Sequence, residues 1–288
     1  MKAVYIYNPH SGKGRKVKRI NYIVNSLKND YEVFDVIETK TREETINSAS
    51  NACGKYDVLI FSGGDGTFNN ILNGIGEKEN APILGYIPMG TINDLAHNLN
   101  IPCNYKKAIK CIKNQNINTF DIGKINNDYF GYVCAAGSFT NISYKTNQKL
   151  KKILGAYGYY FYGFLELFKI KYINVDLLID GEEYHEKTAL VFVLNSKNVG
   201  GFKINKDSDC NDGLFDVFII KPGFNKGIFN FIRFFGFHRG KNRIIHKKAK
   251  EIKVSIAENP NWCVDGEEGN RGFTIIKVCD TKAKIYTN

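Results

Sequence analysis

The sequence predicts an α/β protein in two parts, an N-terminal open parallel sheet with helices on both faces followed by a C-terminal β-sandwich domain. Three observations carry this. Up to about residue 122, β-prone runs alternate with helical patterns, the rhythm of a covered parallel sheet. Beyond Asp121 the runs YFGYVCAAG, VDLLID, ALVFVLN, LFDVFII, IKVSIA and TIIKVC follow one another with few helices between. Asp-Gly pairs at 180–181, 212–213 and 265–266 punctuate those runs, as antiparallel sheets require. The domain boundary is therefore expected near residue 122, with an α/β domain over 1–122 and a β-rich domain over 123–278.

Taken in order, residues 2–7 read as a strand and Asn8–Gly14 as a polar turn before a helix from Lys16 to Asn29. That turn is not a Walker A loop, because the GxxxxGK[ST] spacing is missing. Glu32–Glu38 form a second strand, and Thr41 with Glu44 three residues later gives a capping box for a helix to Ala52. Asp57–Ser62 read as a buried strand, since Val58, Leu59, Ile60 and Phe61 are continuous and β-prone. A helix over 68–76, a strand near 82–87, a polar turn at 88–94 and a helix at 105–114 complete the first part. Two segments interrupt the later β pattern. Residues 149–171 hold Ile153–Leu165 without a charge, too few to span about 30 Å of hydrocarbon. A core helix is the favoured reading there and an aromatic interfacial helix its rival. Residues 224–239 pose the same choice, with Phe229, Phe234 and Phe237 left over beside Arg233 and Arg239.

Composition is that of a globular chain, at 43% hydrophobic and 24% charged residues, which excludes disordered and fibrous classes. The apolar run Ala3–Tyr7 is too short for a signal-peptide core, and seven cysteines without a CxxC pair argue against a disulfide framework or zinc ribbon. A cytoplasmic protein with reduced thiols is expected. The net charge of +11 suggests anionic partners, and Lys221–Lys253 is the stretch that stands out as most basic, suited to peripheral contact with an anionic membrane surface. No RNA- or DNA-binding motif accompanies that charge, so nucleic acid is not an expected partner.

The chemistry concentrates in two loops. In GGDGTFN at 63–69, Gly63 and Gly64 remove side chains where the backbone must bend and where its N–H groups can approach a phosphate. Asp65 can organise a divalent metal and Thr67 can donate a hydroxyl hydrogen bond. PMGTINDLA at 88–96 repeats the logic with Gly90, Thr91, Asn93 and Asp94. In an open α/β sheet both loops fall at the carboxyl edge and can line one crevice, and a cleft between the two domains is the expected place for an active site.

Those two loops resemble the signatures of the diacylglycerol kinase catalytic-domain family, which includes bacterial soluble lipid kinases related to sphingosine kinases. NPHSG at 8–12, NDGLFDV at 211–217 and VDGE at 264–267 match further family motifs in the right order, so the likeness covers nearly the whole chain. It implies a fold of the NAD-kinase/diacylglycerol-kinase type, with residues 279–288 returning to the first domain. It implies a lipid kinase that transfers the γ-phosphate of ATP, with Mg2+, to a membrane lipid hydroxyl, most readily diacylglycerol. By the same resemblance Thr39, Gly63, Gly64, Asp65, Gly66, Thr67, Phe68, Asn69, Gly90, Thr91 and Asn93 contact ATP. Asp65, Asp94 and Asp121 form the polar catalytic cluster, and Glu267 is the general base, a role Glu268 could fill on residue type alone. A structural magnesium site maps to Asp209, Asp212 and Leu214, although this chain has Lys206–Cys210 (KDSDC) where the family has a proline and an alanine. A homodimer is open to such a protein. The competing classes are an NAD kinase, which shares GGDGT but lacks the GTxNDxA element, and a non-catalytic regulator, which would be expected to lose Asp65 or Glu267.

Overall fold

A computed structural model describes residues 1–9, 16–137, 171–222 and 244–288 of the chain. The aromatic segments at 149–171 and 224–239 read from the sequence thus lie almost wholly outside the described residues. Two compact units emerge, Met1–Ile122 with Cys279–Asn288, and Gly123–Val278.

In the first unit, β1 (Lys2–Tyr7) leads to α1 (Lys16–Leu27), β2 (Val33–Glu38) to α2 (Arg42–Ala52), and β3 (Val58–Gly63) to α3 (Asp65–Ile75). Then come β4 (Ile83–Pro88), the short α4 (Asp94–Asn98), α5 (Tyr105–Asn114) and β5 (Ile117–Ile125). The strands β2, β1, β3 and β4 lie side by side in that order and all parallel. This order reverses direction between β1 and β3, the switch point outside which open α/β sheets hold their ligands. Every residue of β3 is buried, which is why its sequence reads as a continuous apolar run rather than an alternating one. Phe68 of α3 is fully buried and meets Phe61, Tyr86 and Phe120 at ring-centroid distances of 5.2, 5.0 and 5.9 Å. Burying one such ring contributes roughly 1.5–3 kcal/mol, so this cluster fixes α3 against the sheet.

The caps follow the sequence signals. Thr41 Oγ1 accepts from Glu44 N at 3.1 Å, and the Glu44 carboxylate reaches back to Lys40 N at 2.6 Å, one residue earlier than a standard capping box. Asn104 caps α5 by accepting from Lys106 N and Lys107 N. One boundary differs from expectation: α3 starts at Asp65, not Phe68, because the Asp65 carboxylate is bonded from a neighbouring loop and commits the first turn.

The second unit is antiparallel. It contains β6 (Asp128–Phe130), β7 (Val133–Gly137), β8 (Ile173–Ile179), β9 (Glu182–Thr188), β10 (Leu190–Leu194), β11 (Asn198–Val199) and β12 (Phe202–Lys203). Five more follow: β13 (Phe215–Ile220), β14 (Ile244–Ala249), β15 (Glu251–Ile256), β16 (Cys263–Val264) and β17 (Glu267–Glu268). The long β18 (Thr274–Tyr286) pairs antiparallel with β15 at its start, and its end pairs parallel with β4 inside the first unit. One layer runs β14-β13-β10-β7-β16-β17 and the other holds β18, β15, β8 and β9. Val175, Leu177, Ile252 and Val254 of one layer and Cys134, Val191, Val193 and Val217 of the other share one apolar core. The chain reaches this sandwich by alternation: β8 is buried, exposed, buried along its length.

Candidate active site

Gly63 at the end of β3 stands opposite Pro88 at the end of β4, so the two glycine loops leave the same sheet edge side by side. Met89 N donates to Gly63 O at 2.7 Å. The backbones then come so close that a Cβ on Gly90 would lie 2.6 Å from Gly64 Cα, and one on Gly64 3.0 Å from Gly90 Cα. A side chain at Gly90 would force the loops to shift, and one at Gly64 would be tight. Gly63 is equally constrained, since its Cβ would fall 2.2 Å from Thr67 Oγ1. Asn93 adopts φ 58° and closes the second loop on itself: Gly90 N donates to its Oδ1 at 2.9 Å, and its Nδ2 donates to Gly90 O at 3.2 Å. Tyr86, buried beneath both loops, donates to Gly63 O at 3.2 Å and Asn93 Oδ1 at 3.4 Å. Asn93 therefore does not cap α4 with its side chain; it shapes the turn before it.

Asp65 is the first residue of α3, and its Oδ1 accepts from Leu95 N at 3.1 Å, with the amides of Asp94 and Asn93 also turned toward the carboxylate. Burial pushes its carboxyl above the usual range, a cost these amides reduce without cancelling. A divalent cation would relieve that cost, and Asp94, one residue before Leu95, is buried as well. Among the described residues no group of three or more His, Cys, Asp or Glu assembles. The start of α3 has Gly64 at its cap position and no side-chain hydrogen bond to its first turn, leaving the amides at Gly66 and Thr67 to a ligand.

Other sequence-predicted residues separate by role. Thr91 is exposed beside Gly90. Asn69 is buried and accepts from Asn73 Nδ2 at both its backbone and side-chain oxygens. Phe68 has its ring in the core, and Thr39, just past the carboxyl end of β2, turns its hydroxyl inward to Thr45 Oγ1 at 2.9 Å and Tyr7 O at 3.3 Å. Asp121 on β5 is buried and pairs with Lys282 of β18 at 3.0 Å. Lys282 lies 161 positions away in the chain, and no local spacing signals it.

Glu267 is exposed at the start of β17, just past the Asp265-Gly266 turn, where both residues adopt positive φ, 48° and 87°. Asp265 itself is buried, and its carboxylate accepts from three successive amides: Gly131 at 2.6 Å, Tyr132 at 3.0 Å and Val133 at 3.1 Å. Sequence reading sees Asp265 only as a turn residue; its partners are more than 130 positions away.

Local hydrogen bonds and one ion pair hold the segment 209–214. Asp209 Oδ1 accepts from Asn211 N, Asp212 Oδ1 from Leu214 N, and Asp212 Oδ2 holds the Lys248 ammonium at 2.5 Å. Lys248 thus neutralises one of the carboxylates to which the structural magnesium site maps. Nor does Asp212-Gly213 make a hairpin, since β13 pairs with β10 and β14 instead.

A parallel sheet carrying interlocked glycine loops, joined to an antiparallel sandwich, defines a two-part kinase fold. Residues 2–125 match the diacylglycerol kinase catalytic domain, and residues 133–280 match the YegS C-terminal NAD kinase beta sandwich-like domain. Diacylglycerol kinase from Staphylococcus aureus is 35% identical over 94% of this chain and 87% of its own length, and that from Staphylococcus saprophyticus is 36% identical over 94% and 90%. A crystal structure of a Bacillus anthracis diacylglycerol kinase superposes with TM-score 0.80 at 25% identity, and another structure from that organism with TM-score 0.86 at 27%; each covers 100% of this chain and 97% of the other. The chain belongs to the diacylglycerol kinase family of lipid kinases.

Proposed function

We propose that this protein transfers the γ-phosphoryl group of ATP to the hydroxyl of a membrane lipid, with diacylglycerol, giving phosphatidic acid, as the favoured acceptor. The observation that carries the reading is the approach of Gly64 to Gly90 beside the uncapped start of α3, a backbone surface with donors and no side chains where a polyphosphate can seat. Phosphoryl transfer needs positioning and charge stabilisation more than covalent help from the protein. Amides at Gly66 and Thr67 and the exposed Thr91 hydroxyl would hold the phosphates, and Asp65 and Asp94 would hold magnesium. Bound there, the metal neutralises charge building on the transferred group. Glu267 accepts the proton of the lipid hydroxyl, whose oxygen forms the new bond to the γ-phosphorus as the bond to the β-phosphate oxygen breaks and ADP leaves. Asp121, neutralised by Lys282, supports the site through the buried end of β5.

No helix among the described residues is long and apolar enough to cross a membrane, and peripheral association with the bilayer is the matching part of this proposal. Radiolabelled ATP offered with diacylglycerol, phosphatidylglycerol, undecaprenol, a sphingoid base, ceramide and NAD tests it. Magnesium-dependent label in phosphatidic acid is expected, falling below a tenth in Asp65→Asn. Label confined to NAD, or no transfer to any lipid, overturns it.

A further inference from the structure

Tyr86 lies within β4, and its ring is what the core there requires. It is 1% exposed, stacks on Phe61 at a centroid distance of 5.0 Å and meets Phe68 edge to face at 5.0 Å. Phe61 and Tyr86 are also register partners on adjacent strands, so β3, β4 and α3 together fix the ring. Phenylalanine would fill that space as well. The hydroxyl is what tyrosine adds, and a buried phenol oxygen costs free energy unless it is hydrogen-bonded. Here it reaches Gly63 O at 3.2 Å and Asn93 Oδ1 at 3.4 Å, one acceptor from each glycine loop. A hydroxyl carries a single proton, so the two loops share it. Burial, and after it the negative charge of Asp65, push the phenol well above the ordinary tyrosine range, which keeps that proton in place.

We propose that Tyr86 is a positioning residue for phosphoryl transfer, its hydroxyl tying the two glycine loops from beneath at the spacing that lets their backbone receive a polyphosphate. This role rests on the lipid-kinase reading, which puts nucleotide phosphates at those loops. The acceptors explain why the hydroxyl serves spacing more than folding. Gly63 O also accepts from Met89 N at 2.7 Å, and Asn93 Oδ1 from Gly90 N at 2.9 Å. Loss of the hydroxyl therefore orphans neither acceptor, and the sheet keeps its ring packing. What disappears is a link from the rigid core to both loops at once. The loops are sensitive to such a loss, because Gly64 and Gly90 approach so closely that a Cβ on Gly90 would lie 2.6 Å from Gly64 Cα. Asn93, held at φ 58° and 5% exposed, carries any shift directly into the turn that presents Gly90 and Thr91.

Tyr86→Phe deletes the hydroxyl and keeps the ring, and the full-length variant is compared with wild type by calorimetric titration with magnesium-ADP and by steady-state kinetics. The dissociation constant for ADP and the KM for ATP should rise roughly two- to tenfold, what one neutral hydrogen bond is worth, while the KM for diacylglycerol stays unchanged. Tyr5→Phe is the matched control. Tyr5 is as deeply buried, and its hydroxyl bonds Ser62 Oγ of β3 at 2.7 Å without reaching either loop. That variant should melt lower than wild type and leave the nucleotide constants where they were. Wild-type nucleotide constants in Tyr86→Phe overturn the assignment, as does an equal rise in both variants, which marks general softening of the sheet. If wild type binds ADP more tightly than Tyr86→Phe yet phosphorylates no lipid, the positioning of the loops stands and the lipid-kinase reading falls. A wild type that binds no adenine nucleotide overturns both.

Discussion

Asp65 and Asp265 both sit at glycine turns and both accept backbone amides, yet they are used in opposite ways. Asp65 carries the proposed chemistry itself: it starts α3, bonds across to Leu95, and stands half-buried with its charge penalised. Asp265 carries none. It is buried on three amides and holds the turn from which the exposed Glu267 projects. In the first loop structure and chemistry share one carboxylate, whereas in the second they are divided between residues two apart. Substitutions should therefore move stability and activity in opposite directions at 65 and separate them at 265 and 267.

The largest effect is expected at the exposed acid. Glu267→Gln should lower kcat by roughly 10²–10⁴, the range for losing a general base, with KM for ATP and thermal stability unchanged. A comparable loss in Glu268→Gln with Glu267→Gln fully active would move the base by one residue.

Next comes the loop contact. Gly90→Ala places a methyl 2.6 Å from Gly64 Cα, backbone against backbone, so the loops must separate. A displacement of about 1 Å at a positioning loop costs on the order of 10²-fold in turnover. Steady-state kinetics with saturating lipid should show that loss with a raised KM for ATP; wild-type kinetics would mean that the loops are not a phosphate site.

These two sites also mark what was legible in the chain. The glycine loops and the parallel sheet were readable because their signals are local: a continuous apolar strand, then glycine, acid and hydroxyl. The strand β9 was not, since EEYHEKT has almost no buried residue; it lies at a sheet edge and is defined by pairing with β8. The strand β14, IIHKKA, failed to register for the same reason, with its polar residues exposed and a single buried Ala249. The Asp265 clamp and the Asp121–Lys282 pair join residues distant in sequence, which spacing cannot express.

A stability measurement sharpens the comparison at Asp265. Asp265→Asn keeps the shape but weakens the bonds from Gly131, Tyr132 and Val133 and turns an amide donor toward donors. Hydrogen bonds to a charged group contribute about 1.5–3 kcal/mol, so a loss of that order is expected in urea unfolding. Turnover per folded molecule should fall less than in Glu267→Gln. A variant as stable as wild type would show that the turn does not depend on the carboxylate.

The smallest effect on stability is expected at Asp65, with the opposite sign. Burial raises its folded-state carboxyl above the ordinary value of 3.8, so the folded protein binds the proton more tightly than the unfolded chain. Such a group favours folding fully below about pH 3.8, and that contribution is lost as pH rises through the folded-state value, leaving the charged carboxylate as a burden at neutral pH. Asp65→Asn retains an oxygen to accept from Leu95 N and removes the charge. In metal-free buffer at pH 7 it should therefore melt no lower than wild type, and slightly higher, although its phosphoryl transfer is lost. On acidification toward pH 4 the two melting curves should converge as wild-type Asp65 takes up its proton. Magnesium with ATP should raise the melting temperature of wild type alone, because only the carboxylate can hold the cation. If Asp65→Asn is instead markedly less stable at pH 7 without metal, the amides of Asn93–Leu95 outweigh burial, and Asp65 belongs with Asp265 as a structural clamp.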